Sequence, residues 1–188
     1  MGAHRKLVKQ GILFIKIGAM MMLMTACMGT QTIEVNHLAE PKLDFFAYFN
    51  GKVQGSGLVR DWRGKITRQF TVTMVGSYTA DQQLVIDESF VFNGGQSQTR
   101  RWQVKSLPEG KLEGVANDTI GIARGRVLGN AMNWRYQLNI PYKGKSIALT
   151  FDDWLYLQQD QQLLNVVTMR KFGLPVGSLV IAFHKESQ

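Results

Sequence analysis

The chain has 188 residues, with 22 Lys and Arg against 14 Asp and Glu, a formal charge of +8 and one cysteine. Four of the cations (Arg5, Lys6, Lys9, Lys16) and none of the acids precede Cys27, so the remainder carries only +4; no Lys/Arg stripe appears, and nucleic acid is excluded as the expected partner. A lone thiol excludes an intrachain disulfide and a multi-cysteine metal site, while the roughly 160 residues beyond it suffice for one domain held by its own apolar core.

A basic start followed by an apolar run ending at Thr25-Ala26-Cys27 has the form of a cleavable export signal. Leu23-Met24-Thr25-Ala26-Cys27 resembles the bacterial lipobox, with Met24 where leucine is usual. That resemblance implies cleavage before Cys27, diacylation of its thiol and acylation of the new amino terminus. The competing readings are an ordinary signal peptide and a membrane-spanning anchor. Against the latter, Lys16 leaves ten residues from Ile17 to Ala26, where a span needs ~20. Met28, rather than an aspartate, follows the cysteine; in a Gram-negative envelope this implies sorting to the outer membrane, with the domain facing the periplasm. The expected organisation is a cleaved signal at 1–26, a lipidated tether at 27–38 and a single barrel domain at 39–188 opening with a short helix at 42–50.

The helix expectation rests on Pro41 as an opener, on Leu43, Phe46 and Phe49 at helical spacing, and on Gly51 as a stop. Its aromatic stripe reads as a plug for the end of a core. From Lys52 onward, short runs rich in β-branched and aromatic residues are divided by turn clusters at Asp61–Gly64, Tyr78–Gln82, Asn93–Gln96, Pro108–Gly110, Leu128–Asn130, Pro141–Lys145, Gln158–Gln162 and Gly173–Pro175. This predicts an all-β fold of about nine antiparallel strands, within a range of 8–10, arranged as an up-and-down barrel, since closure of a plain meander removes exposed edges. Period two assigns an inner face to Phe70, Val72 and Met74; to Leu84, Ile86, Phe90 and Phe92; to Trp102 and Val104; to Met132, Trp134, Tyr136, Leu138 and Ile140; and to Leu179, Ile181 and Phe183. Gly114 and Ala116 leave space on their face for a ligand or for a partner side chain.

Three charges break the pattern by falling on inner faces: Arg68, Glu88 and Arg100. With Phe90 set opposite Arg100, Glu88 becomes that arginine's diagonal neighbour, a carboxylate between guanidinium groups. It serves either as a structural ion pair or as a site where one arginine is left to meet an anionic headgroup. Asn117-Asp118, Asn130, Asn133 and Asp152-Asp153 read as turn chemistry and barrel-end hydrogen bonding; adjacent Asp152 and Asp153 point to opposite faces and are poor acid/base partners. Gly144-Lys145-Ser146 lacks the earlier glycine and following helix of a phosphate loop, and His4, His37 and His184 lack zinc-ligand spacing. No serine sits in a nucleophile elbow. No catalytic residue, metal or cofactor is therefore expected.

Several separated motifs occur in order: Tyr48-Phe49-Asn50-Gly51, Asp87-Glu88-Ser89-Phe90, Arg100-Arg101-Trp102, Gly114 to Asp118, Gly129 to Tyr136, and Asp152-Asp153-Trp154. Through them the chain resembles an uncharacterised family of proteobacterial lipoproteins, domain-of-unknown-function family 3833. The resemblance implies a lipocalin-like barrel and carries over no catalytic residue. The reading reached is a monomeric envelope lipoprotein, anchored to membrane at Cys27, whose barrel holds a small apolar or amphipathic ligand such as a fatty acid or lipid. Arg68, Glu88, Arg100, Trp102, Trp134 and Tyr136 are the expected lining. A filled, structural or partner-binding barrel is the first alternative and a lipid-modifying enzyme the second.

Overall fold

The computed structural model describes residues 40–142 and 144–186. The expected signal segment, Cys27 and the tether lie outside the described residues. Asp44 stops the backbone from continuing helically toward Pro41: its side chain caps the helix by accepting from the Ala47 amide at 2.9 Å, so α1 spans only Phe45–Phe49. Asn50 donates back to the Phe46 carbonyl at 3.0 Å, and Gly51, at φ +95°, turns the chain into the sheet.

Ten antiparallel strands follow: β1 (Gly51–Asp61), β2 (Ile66–Tyr78), β3 (Leu84–Phe92), β4 (Ser97–Ser106), β5 (Lys111–Ala116), β6 (Ala123–Leu128), β7 (Ala131–Tyr142), β8 (Lys145–Leu157), β9 (Leu163–Lys171) and β10 (Leu174–Lys185). Each pairs with its sequence neighbours, and β1 closes on β10 from Val53↔Lys185 to Asp61↔Gly177, giving a closed up-and-down barrel. The tenth strand arises at Asn117–Ile122, where the chain reverses between β5 and β6. This segment has no Gly-Pro or Asn-Gly signal; its turn is held by the Thr119 hydroxyl, which accepts from the Ala116 amide at 3.0 Å and donates to the Ala116 carbonyl at 2.9 Å. Pro175, which lacks a ladder donor, sits beside the bulge between Pro175 and Gly177.

The two ends of the barrel differ. At one end lie the β2–β3, β4–β5, β6–β7 and β8–β9 turns, and there α1 lies over the interior with Phe45, Tyr48 and Phe49 buried. Leu43 donates to the Gly129 carbonyl at 2.9 Å, the Phe49 ring meets Phe183 edge-on at 6.1 Å, and the Tyr48 hydroxyl reaches the Gln161 and Phe183 carbonyls at 3.3 and 3.4 Å. The opposite end, with the β1–β2, β3–β4, β5–β6, β7–β8 and β9–β10 turns, has no such plug among the described residues. The apolar inner faces form one main cluster, running from α1 down the barrel, and a smaller one of Leu138, Leu149, Phe151 and Val167 nearer the open end.

Small residues fit partners closely. Gly114 and Gly125 lie against the face of Trp134, so the space read on the β5 face is taken by that indole. Gly76 of β2 touches the backbone of α1: a Cβ there would collide with the Phe49 carbonyl oxygen, which cannot swing aside as a side chain can. Gly76→Ala is therefore expected to lower the unfolding free energy by about 3 kcal/mol, the upper end of the overpacking range. Urea denaturation of the variant measures this, and an unchanged midpoint would show that α1 does not rest on β2.

Candidate ligand-binding site

A cavity of about 250 Å³ runs from Phe45 and Phe49 of α1 toward the open end, where exposed Arg68 and Gln98 stand at its mouth. It lies just below the usual range of small-molecule sites, roughly 300–1,000 Å³. Arg68, Glu88, Arg100, Trp102, Trp134 and Tyr136 all line it. Alternation along β2, β3, β4 and β7 turns each of them inward.

Their grouping differs from the sequence expectation. The β3–β4 hairpin is tighter by one residue pair than assumed, with Phe92 donating to the Gln96 carbonyl at 2.8 Å and Gly94 and Gly95 taking up the left-handed turn. Glu88 therefore lies directly opposite Arg100, not diagonal to it, and Phe90 opposes Gln98. Nor does Glu88 sit between two guanidinium groups. Arg68 is at the mouth, over the Phe92 ring at 4.6 Å and donating to Gln96 at 3.0 Å.

Instead one guanidinium stands between two carboxylates. Arg100 donates to Asp118 through Nε at 2.8 and 3.0 Å and through Nη2 at 2.8 Å, and through Nη1 to Glu88 at 3.4 Å. Asp118 belongs to the β5–β6 loop, which is tied to β7 where Ile120 donates to the Gln137 carbonyl at 2.8 Å and Asn139 to that of Asp118 at 3.3 Å. Turn chemistry thus does not exhaust Asp118's role; it completes a bidentate pair.

Asp153 corrects the second sequence assignment. It lies within β8, four residues before the strand's end, and points inward with only 8% of its surface exposed. It accepts from the Tyr136 hydroxyl at 3.1 Å and from Asn165 of β9, whose amide also reaches the Trp154 carbonyl at 3.1 Å. Asp152 points outward and accepts from Asn133 at 3.0 Å. Both Asp153 and Asn165 were legible by parity, since Phe151, Asp153, Leu155 and Leu157 share a face, as do Leu163, Asn165 and Val167.

Aromatic rings enclose this polar group. Trp102 meets Trp134 and Tyr136 edge-on at 5.8 and 5.2 Å, and Tyr136 stacks on Phe151 at 5.2 Å. Removal from water pushes the carboxyl groups of Glu88 and Asp153 up to about 7, and the Tyr136 hydroxyl well above its ordinary value, while Glu88 and Asp118 raise Arg100 further. Exposed His184 lies on β10 opposite Gln54 and does not line the cavity. Among the described residues no three His, Cys, Asp or Glu side chains are grouped to hold a metal ion.

A closed antiparallel barrel with a half-open, aromatic-walled cavity and a polar group inside it belongs to the class of β-barrels compatible with binding a small ligand. A family model described as "Protein of unknown function (DUF3833)" matches residues 21–185, and the chain belongs to that family. No curated protein matches the chain.

The raised carboxyl groups set the pH dependence of stability. Glu88 and Asp153 hold their protons more tightly in the folded chain (about 7) than in the unfolded one (4.5 and 3.8), so the folded state carries more protons across that window. Stability should therefore decline as pH rises from about 4 to 7 and level off above. Chemical denaturation across that range should find the decline flattened in the Glu88→Gln, Asp153→Asn double variant; an equal slope would mean that these groups titrate normally.

Proposed function

We propose that this protein is an envelope lipoprotein, anchored through Cys27, whose barrel carries a small amphipathic molecule, with fatty acids and lipid fragments among the candidates. The observation that supports this reading is the cavity: it is walled by Phe70, Phe90, Phe92, Trp102 and Trp134, opens at one end, and contains polar groups at its mouth and midway along it. Apolar walls supply affinity, and a few placed polar groups orient the ligand.

The ion pairing decides where each kind of polar group goes. Arg100 is engaged by Asp118 and Glu88, so a ligand carboxylate finds its guanidinium at Arg68, at the mouth. A hydroxyl or amine suits the deeper carboxyl groups of Glu88 and Asp153. These carboxyls are read as binding groups rather than catalytic ones, since their neighbours are Arg100, Tyr136 and Asn165 and no serine or histidine nucleophile system accompanies them among the described residues.

The test is titration of the full chain, held in amphipol, with octanol, octylamine and octanoate while tryptophan emission is followed. Saturable shifts from Trp102 and Trp134, absent in the Trp102→Phe, Trp134→Phe variant, are expected. Arg68→Ala should weaken octanoate about tenfold, as for loss of a charge-assisted hydrogen bond, and leave octanol unchanged. No response to any probe, or to envelope lipid extracts, would favour a filled structural barrel and remove the carrier reading.

A further inference from the structure

We infer that the open rim of the barrel rests on an anionic bilayer surface through three consecutive hairpin tips. The four most exposed large apolar side chains among the described residues are Phe172 (92%), Trp62 (69%), Leu174 (67%) and Tyr142 (54%). All four lie at the open end, on the β1–β2, β7–β8 and β9–β10 tips, which follow one another around the rim because β2, β1, β10, β9, β8 and β7 are neighbours in that order. Such side chains scattered over ten strands would need no account; collected on one rim they do.

Cations accompany each tip: Arg63 and Lys65 beside Trp62, Lys145 beside Tyr142, and Arg170 and Lys171 beside Phe172. Arg63 lies 4.6 Å over the Trp62 ring and Lys171 4.8 Å over that of Phe172. The one carboxylate on these tips, Asp61, is used locally, accepting from the Arg63 and Lys65 amides at 2.9 and 3.0 Å. The turns of the closed end carry exposed Asp81, Glu109 and Asp160, with Lys111 at 2.7 Å from Glu109. The three open-end tips are therefore both positive and aromatic.

Aromatic rings that reach past the headgroups, with cations level with the phosphates, match an anionic interface. A protein partner fits less well, because lysine is depleted from the cores of protein interfaces. The chain's entry at the closed end does not prevent this orientation. Glu40 is held at the closed end, where its carbonyl accepts from Gln159 at 3.0 Å, so the twelve residues from Met28 to Ala39 supply the reach, at most ~43 Å. The longest strands, of 13 residues, span ~43 Å before tilt and ~33 Å along the axis at a tilt of about 40°.

The test uses the full chain in phosphatidylcholine vesicles with and without phosphatidylglycerol, each containing acyl-brominated lipid. Trp62 emission, obtained by subtracting the Trp62→Phe variant, should be quenched in the anionic vesicles and much less in the neutral ones, with quenching relieved by salt. Replacing Arg63, Lys65 and Lys171 by glutamine should abolish it, since each such cation contributes roughly fivefold in partition; the cavity tryptophans report that the variant remains folded. Unquenched Trp62 in anionic vesicles, equal quenching in both compositions, or a blue shift without quenching, as a protein partner or second copy would give, overturns the proposal. None of these readouts requires the cavity to bind anything.

Discussion

Closure of β10 onto β1 is the constraint from which the rest follows. A sheet without edges has one inside and one outside, so period two along each strand becomes a strict division between core and water. The β3–β4 hairpin makes this concrete. Two acid–arginine pairs stand side by side in it: Glu88–Arg100 faces in, with side chains 9% and 12% exposed, while Asp87–Arg101 faces out, at 49% and 63%. The outer pair has the shorter contact, 2.6 Å against 3.4 Å, yet solvent screens it and leaves it little net effect on stability. The inner pair is the consequential one, because Arg100 is a desolvated charge held by both Glu88 and Asp118.

The cavity wall holds two inward carboxyl groups, Glu88 and Asp153, and the guanidinium of Arg100, which Asp118 engages from its half-buried loop. Two further carboxylates beside a guanidinium already paired with Asp118 would leave excess negative charge in a poorly solvated space, and the balance is met by geometry and protons together. Asp118 takes the bidentate face of Arg100, while Glu88 and Asp153 keep protons to near neutrality. This also couples the β5–β6 loop to the cavity wall, since the residue that neutralises Arg100 is carried by a loop anchored on β7. Loop position, ion pairing and protonation of the cavity are one linked set.

Much of this was legible in the sequence, and what was not has identifiable causes. The inner faces of β2, β3, β4, β7 and β10 followed from alternation alone, because each combines bulky apolar residues with polar ones over several periods. Eight turns were marked by Gly, Pro, Asn or Asp. The ninth, at Asn117–Ile122, contains Asn117, Asp118 and Gly121 but no adjacent Asn-Gly or Gly-Pro pair, and its closure by a threonine hydroxyl carries no such signal, so β5 and β6 were left undivided. The Glu88–Arg100 register missed by one residue pair, since loop length sets hairpin register and sequence does not fix which of several Gly-containing residues lie within the loop. Asp153 was lost differently: assigning aspartates to turns by residue type overrode the parity that places it beside Phe151 and Leu155. Asp118 falls against Arg100 because the β4–β5 register, Trp102↔Ala116, continues two residues past the end of β5, a pairing that can be placed only once the turn before β6 is recognised.

The position of the cavity follows from how burial is graded along the barrel axis. Near α1 the inner layer is tight, with Val53, Leu84 and Leu163 fully buried and Met132 at 1% exposure. Toward the other rim Phe90, Phe92, Ile140 and Leu179 are only partly covered, because no element lies over them there among the described residues. Space therefore remains between a sealed floor and a ring of phenylalanines, and Glu88, at the midpoint of β3, sits between the two. A molecule entering from the rim meets Arg68 first, then the Phe70, Phe90 and Phe92 rings, and only then the Glu88 and Asp153 carboxyls. In that order, polar, apolar, polar, hydrocarbon long enough to reach the floor would desolvate the buried carboxyl groups without replacing their hydrogen bonds, so the length of apolar wall between Arg68 and Glu88 bounds the apolar part of any occupant.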